Sequence, residues 1–313
     1  MEEQHMEMRQ EAERVAARDE AGASPSLSAV LSVASREIAR ALAGGESRRP
    51  LADTGSAGTG EAAADTGSAG TCEGAADTGS AGTCEGAADT GSAGTCEGAA
   101  DTGSFALCRV LRPDDPTALV AVRVLGADAL APYRLAGHVP VPEDSLLVGR
   151  VLDAFPSEPG CSEVSRWRHH GLVEAARVVL PTGGGAEASD VRVCRTADIA
   201  VPDAGWVREA APDRLPRLVA QLAALAVPDA RETPLGAELD ARALDLSYAF
   251  ADAVRRGDWR EAAGVGRWLA LLPGAPSGLP LGEGLDGVRR GAGGDPWVLL
   301  QVAAAHLLPG VRT

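Results

Sequence analysis

Thr117-Ala118-Leu119-Val120-Ala121-Val122-Arg123-Val124-Leu125, the run TALVAVRVL, decides the fold class. Ahead of it stand Pro113-Asp114-Asp115-Pro116, which have turn chemistry, and before those the apolar stretch 105–111. Residues 105–111 and 117–125 therefore read as two strands of a β-hairpin around that turn. Two further short strands, 176–180 and 190–194, are expected on either side of the loop Pro181-Thr182-Gly183-Gly184-Gly185. Helices are expected at roughly 143–154, behind Pro142-Glu143-Asp144, and near 162–175. The pattern predicts an α+β protein, with a small mixed α/β region over 105–200 and an all-α helical domain over 201–313.

The C-terminal part is helical by spacing. PDRLPRLVAQLAAL gives one helix. Residues 237–256 give a second, with Leu239, Ala243, Leu246, Phe250, Ala253 and Val254 on one side. Gly257-Asp258 breaks the chain, and Trp259 to Leu272 forms the next helix, ended by Pro273-Gly274. Asp295-Pro296 supplies an N-cap and a first-turn proline for a last helix over 296–308. The pair 239–272 is similar to a tetratricopeptide hairpin through Gly257-Asp258-Trp259, Ala262 and Pro273. The likeness covers about one unit. Phe250 stands where a small glycine is usual, and Pro273 falls one residue early, so a generic αα-hairpin fits as well. The resemblance implies partner binding.

Upstream of the body, residues 1–20 read as a charged arm. Ser24-Pro25-Ser26 starts an amphipathic helix with Leu27, Val30, Leu31, Val33, Ala34, Ile38, Ala41 and Leu42 at helical spacing, closed by Gly44-Gly45. Residues 52–104 are a tandem array of the twelve-residue unit ADTGSAGTCEGA, starting at Ala52, Ala64, Ala76, Ala88 and, in partial form, Ala100. The largest apolar side chain in the unit is alanine, too small to offset roughly 1–2 kcal/mol of backbone entropy per ordered residue. A disordered acidic insert is expected. DTGS resembles the catalytic loop of retropepsin-like aspartic proteases, but glycine and alanine replace the apolar strand that loop needs. The twelve-residue period with Thr-Cys resembles insect antifreeze β-helices without their Thr-x-Thr face. Thiols twelve residues apart are poorly spaced for zinc.

Composition excludes some chemistry. The chain of 313 residues has no Lys and no Asn, so all 29 basic residues are Arg. Walker-type ATP binding and pyridoxal phosphate catalysis each need a lysine and are excluded in their usual form. Heavy use of Ala, Gly, Arg and Pro points to a GC-rich genome, such as that of a high-GC bacterium. The net charge of −15 includes nine acidic residues of the array, leaving −6 elsewhere. That balance argues against nucleic-acid and anionic-membrane partners. A charged N-terminus and the lack of a long apolar run predict a cytoplasmic protein with reduced cysteines.

Ser165-Arg166-Trp167-Arg168-His169-His170 concentrates the candidate site residues. On a helix Arg166 and His170 share a face, as do His170 and Glu174. Arg166, Arg168 and His169 are candidates for holding a phosphate or carboxylate. His170 is the candidate acid/base with Glu174 orienting it, and His138 is a possible further member. A polar helix face with Trp167 packed inward explains the same residues. Two functions follow. One is a non-catalytic protein that binds a protein partner through its helical region. The other is a transferase-type enzyme, or a fragment of one, acting on an anionic ligand.

Overall fold

The computed structural model describes residues 25–46, 105–158, 160–180 and 200–311. Among these residues there is no strand, and the structure is all-α. The α+β expectation is overturned at the run that carried it. Residues 116–125 form helix α3 (Pro116–Leu125), preceded by one helical turn, α2 (Leu107–Val110). Helix α1 (Leu27–Glu46) lies where its amphipathic spacing predicts.

The physical reason lies in the caps. Asp115 Oδ1 accepts a hydrogen bond from the Thr117 N–H at 2.8 Å, and Pro116 occupies the first turn. Gly126, at φ +61°, ends the helix. Between them Ala118, Ala121, Val122 and Leu125 are buried, at the i, i+3, i+4, i+7 spacing of a helix. The β propensity of the three valines is overridden by this stripe and its caps. The tetrad read as a hairpin turn is a helix start.

The remaining elements follow in order. Gly126–Leu130 is a 3-10 turn leading into α4 (Ala131–Leu135). Next come α5 (Pro142–Ala154) and α6 (Glu163–Val179). The strand expected at 176–180 is the last turn of α6, where Ala176 and Leu180 are buried four apart. The strand expected at 190–194 and the glycine loop 181–185 lie outside the described residues, as does the repeat array.

Beyond residue 200 the chain runs through α7 (Gly205–Glu209), α8 (Leu215–Gln221) and α9 (Pro234–Ala241). It continues through α10 (Ala243–Arg256), α11 (Trp259–Leu269), α12 (Leu281–Gly291) and α13 (Pro296–His306). The segment expected as one helix over 237–256 is broken at Arg242. The first of the two pieces, α9, begins before residue 237 at a cap of its own, where Thr233 Oγ1 accepts from the Gly236 N–H at 3.1 Å. Helix α12 has no counterpart among the expected helices.

Helix α11 is the centre of the C-terminal half and packs on α8, α10, α12 and α13. Helix α1 packs on α13, and also on α3 and α4, so the first described helix touches the last one. Close approach needs small residues at α11. A Cβ on Gly264 would lie 2.7 Å from Ala220 Cα, and one on Gly266 would lie 2.9 Å from Phe250 Cε2. Gly257, at φ +73°, makes the left-handed turn between α10 and α11.

Two buried polar knots tie distant segments. On α11, Arg267 is fully buried and its Nη1 donates to Asp128 Oδ1 at 2.5 Å and to Gln301 Oε1 at 2.7 Å. Gln301 Nε2 donates to Asp128 Oδ2 at 2.6 Å, and Arg267 Nε donates to Ala226 O at 3.3 Å. The second knot centres on Asp144, also fully buried. It accepts from the Tyr133 hydroxyl, from the Cys108 N–H at 2.8 Å and from the Val141 N–H at 3.3 Å. The Tyr133 oxygen in turn accepts from the Leu107 N–H at 3.0 Å.

His138 joins the two sides of the array. Its Nδ1 accepts from the Phe105 N–H at 3.3 Å, which leaves Nε2 to carry the proton and donate to Ala41 O at 3.2 Å. The imidazole therefore holds the end of α1 beside the residue at which the body resumes. Deleting residues 52–99 keeps the repeat register and removes 48 of the 58 residues between Glu46 and Phe105. Shortening a chain whose ends are already held together should leave the melting temperature unchanged or raise stability by about 1–2 kcal/mol. Differential scanning calorimetry checks this, and a marked loss of stability would show that the array contributes contacts.

Candidate functional site

The candidate residues sit on α6. Its start is fixed by Ser162, whose Oγ accepts from the Ser165 N–H at 3.2 Å. From there the helical rotation turns Trp167 and His170 inward and Arg166 outward. The Trp167 indole N–H donates to Asp203 O at 3.1 Å, and its ring meets the His170 imidazole edge-on at 5.6 Å. His169 is buried as well. Arg166 is exposed and paired with Glu163. Glu174 accepts two bonds from Arg177, at 2.7 and 3.1 Å.

These placements separate residues that share a helix face in sequence. Arg166 is held by Glu163 and His170 by Trp167. Glu174 is held one turn further along by Arg177. His138, between α4 and α5 in sequence, is engaged in the bridge between Phe105 and Ala41. None of Arg166, His169, His170, Glu174 and His138 lines the concave feature between α1 and the starts of α11 and α13. Arg168 does.

That feature is a groove of about 730 Å³. One wall is the first two turns of α1, with Leu27, Leu31 and Ser35. The end of α3 contributes Val124 and Leu125, and α6 contributes Arg168. The opposite wall is Arg217 and Gln221 of α8 with the N-terminal turns of α11 and α13, including Arg260 and Trp297. A smaller cavity of about 30 Å³ shares Val124, Arg168, Gln221 and Trp297 with the groove and reaches Asp128, the carboxylate of the Arg267 knot.

The two helix starts that open onto the groove are already capped. Asp258 accepts from the Glu261 N–H at 3.2 Å and Asp295 from the Trp297 N–H at 3.0 Å. The acidic rim is engaged too. Arg260 Nε donates to Asp295 at 2.7 Å, while Glu261 pairs with Arg256 at 2.9 Å and with Arg217 at 3.5 Å. Arg168 stands apart. The one hydrogen bond shown for its guanidinium goes to Val124 O, although the group carries five N–H donors. Burial lowers its pKa, Arg123 lowers it further, and Asp128 opposes both. The groove thus combines a leucine and tryptophan lining with an arginine that has donors to spare.

Among the described residues no group of three His, Cys, Asp or Glu is placed to hold a metal ion, and no helix is long and apolar enough to cross a membrane. The Tyr133 hydroxyl is pushed well above the usual phenol range by burial and by its bond to Asp144, so it stays protonated as a donor. Comparison with protein-family models, with curated proteins and with solved structures finds no match.

The groove residues on α1, α8, α11 and α13 lie outside the SRWRHH cluster, and no spacing links them. Leu27 and Leu31 are visible only as part of an amphipathic stripe, and Trp297 only as a first-turn residue of α13. The site exists because six segments far apart in sequence, on α1, α3, α6, α8, α11 and α13, meet there.

The two histidines carry a pH prediction. Burial lowers the pKa of both His169 and His170 from 6.5, with Arg123 also lowering His169 and Glu174 opposing the shift at His170. The Nδ1 atoms of both are buried without a hydrogen-bond partner. The fold therefore prefers them neutral, and the unfolded chain binds protons first as pH falls. Their contribution to stability is full above about pH 6.5 and is lost as pH drops below it. Melting temperature should fall between pH 7.5 and 5, and the slope should flatten in His169→Gln/His170→Gln. An unchanged slope would rule the pair out as its source.

Proposed function

We propose that the helical unit is a non-catalytic binding module and that the groove between α1 and the starts of α11 and α13 receives an amphipathic segment of a protein partner. The observation that supports this is the pairing, in one groove, of Leu27, Leu31 and Trp297 with the under-used Arg168. Such a lining suits a segment with an apolar face and a carboxylate. Arginine and tryptophan are also the residue types that most often anchor protein interfaces. The separation of His170 from Arg166, and the engagement of Glu174 by Arg177, give the acid/base reading less support.

The test is site-specific photocrosslinking of the full-length chain in its native cell extract. A benzophenone side chain at Gln221, which is exposed in the groove, should give a discrete adduct with one protein. The same group at Tyr248, 70% exposed on α10 and outside the groove, should not. Equal adducts at both positions would overturn the reading.

A further inference from the structure

Beneath the groove, where the ends of α3 and α8 meet, lies the cavity of about 30 Å³. Its wall carries two charged groups of opposite sign, Arg168 and Asp128. Among the described residues they do not bond each other directly. Arg168 donates to Val124 O, and Asp128 accepts from Arg267 and Gln301. The attraction is felt across the space all the same, since Asp128 opposes the lowering of the Arg168 pKa.

Both groups have hydrogen-bonding capacity left. A guanidinium has five N–H donors, and one bond is shown for Arg168. A carboxylate has about four lone-pair directions, and Asp128 fills two of them. The knot to which Asp128 belongs is also short of an acceptor, because Arg267 Nη2 is buried without a partner. Unmet hydrogen bonds beside buried charges are costly, since the local dielectric is low.

Size selects the guest. A water needs about 10–15 Å³ of such space, so the cavity takes one or at most two. An organic ligand is too large. A halide matches in size, but it would lie against the Asp128 carboxylate. A water suits both ends, because its oxygen accepts from the Arg168 guanidinium while a hydrogen is donated to Asp128.

We infer that this cavity is a binding site for a buried water that bridges Arg168 to Asp128. The water ties the floor of the groove to the Arg267 knot. It fixes the plane of the Arg168 guanidinium and leaves it donors for the groove. The site does not depend on what fills the groove.

The test is magnetisation transfer from water to the amides of the deuterated, nitrogen-15-labelled full-length chain. The N–H groups of Asp128 and Leu225, both residues of the cavity wall, should give cross-peaks at the water frequency. Their signs should be opposite in the laboratory-frame and rotating-frame experiments, the mark of a water that outstays the hydration shell. No Ser, Thr or Tyr lines the cavity, so no hydroxyl there can imitate the signal. Ala224→Val adds two methyl groups to the wall and should abolish both cross-peaks while leaving the amide spectrum of α12 unchanged. Arg168 protons that exchange with bulk water would survive that change, so cross-peaks that persist in the folded variant overturn the inference. So does a wild-type chain that gives no cross-peak, or peaks of the same sign, a result that decides the matter even where the variant does not fold. The spectra are recorded in sulfate and again in chloride. Cross-peaks lost in chloride would assign the cavity to a halide and overturn the water.

Discussion

Replacing Arg267 by Met should lower the unfolding free energy by about 3–5 kcal/mol, the cost of stranding a buried charge. Asp128 would lose the cation 2.5 Å from its Oδ1, and Gln301 would lose the donor to its Oε1. Asp128 has only 3% of its surface exposed, so solvent cannot replace the lost partner. Removing both charges, in Asp128→Leu/Arg267→Met, should cost clearly less than the single change, because no unpaired ion remains. Chemical denaturation of the three proteins gives the comparison. A double variant as unstable as Arg267→Met would show that the stranded Asp128 carboxylate is not what destabilises the single variant. The small cavity that reaches Asp128 also opens beside Arg168, so the single variant should loosen the groove floor as well.

Asp144→Ala should cost about 3–4 kcal/mol, from several buried donors each left unsatisfied at about 1–3 kcal/mol and not additive. The Tyr133 hydroxyl, the Cys108 N–H and the Val141 N–H all lose their acceptor. Tyr133→Phe removes one donor and leaves the Leu107 N–H without its acceptor, so a smaller loss of about 1–2 kcal/mol is expected. The order of the two effects matters more than their size. The knot holds α2, the first turn of the body after the array, onto α5 and α4. Hydrogen exchange at Leu107 and Cys108 should therefore accelerate before exchange in α11 does. A uniform acceleration across both helices would contradict this local role.

How much of this was legible in the sequence depended on the kind of signal. Asp295-Pro296 and Asp115-Pro116 are the same start signal, an aspartate cap with a first-turn proline. Ahead of PWVLLQVAAAH the signal was read as a helix, and that helix is α13. Ahead of PTALVAVRVL the same signal competes with three valines, whose β propensity favours a turn and a strand in sequence. Burial of Ala118, Ala121, Val122 and Leu125 shows that the period, not the residue type, should have decided. Helix α12 was hidden for the opposite reason. Gly282, Gly284, Gly287 and Gly291 depress its propensity. Two of them sit where packing demands them, since a Cβ on Gly284 would lie 2.9 Å from Phe250 Cε1 and one on Gly291 would lie 2.5 Å from Trp259 Cζ2. The helix stands on tertiary contacts through Leu281, Leu285 and Val288.

The site was less legible than the helices. The density of arginine and histidine at 165–170 draws attention to α6, yet of those residues only Arg168 lines the groove. His169 and His170 are packed inward, which the alternative of a polar helix face with Trp167 buried half anticipates. The other groove residues carry no local mark. Arg217 and Arg260 look like ordinary surface arginines in sequence, and they meet only because α8 and the start of α11 are brought together at Gly264.

The binding role of the groove is tested most directly by titrating the partner caught at Gln221 against variants that alter the groove without touching the core. Arg217 has a side chain 75% exposed, Glu261 keeps Arg256 when Arg217 is neutralised, and Gln221 is exposed, so Arg217→Gln and Gln221→Trp should leave the melting temperature nearly unchanged. Isothermal titration calorimetry should then show at least a tenfold loss of affinity for each, with Tyr248→Ala binding like the unmodified chain. Unchanged affinity in both groove variants would contradict the groove as the binding site.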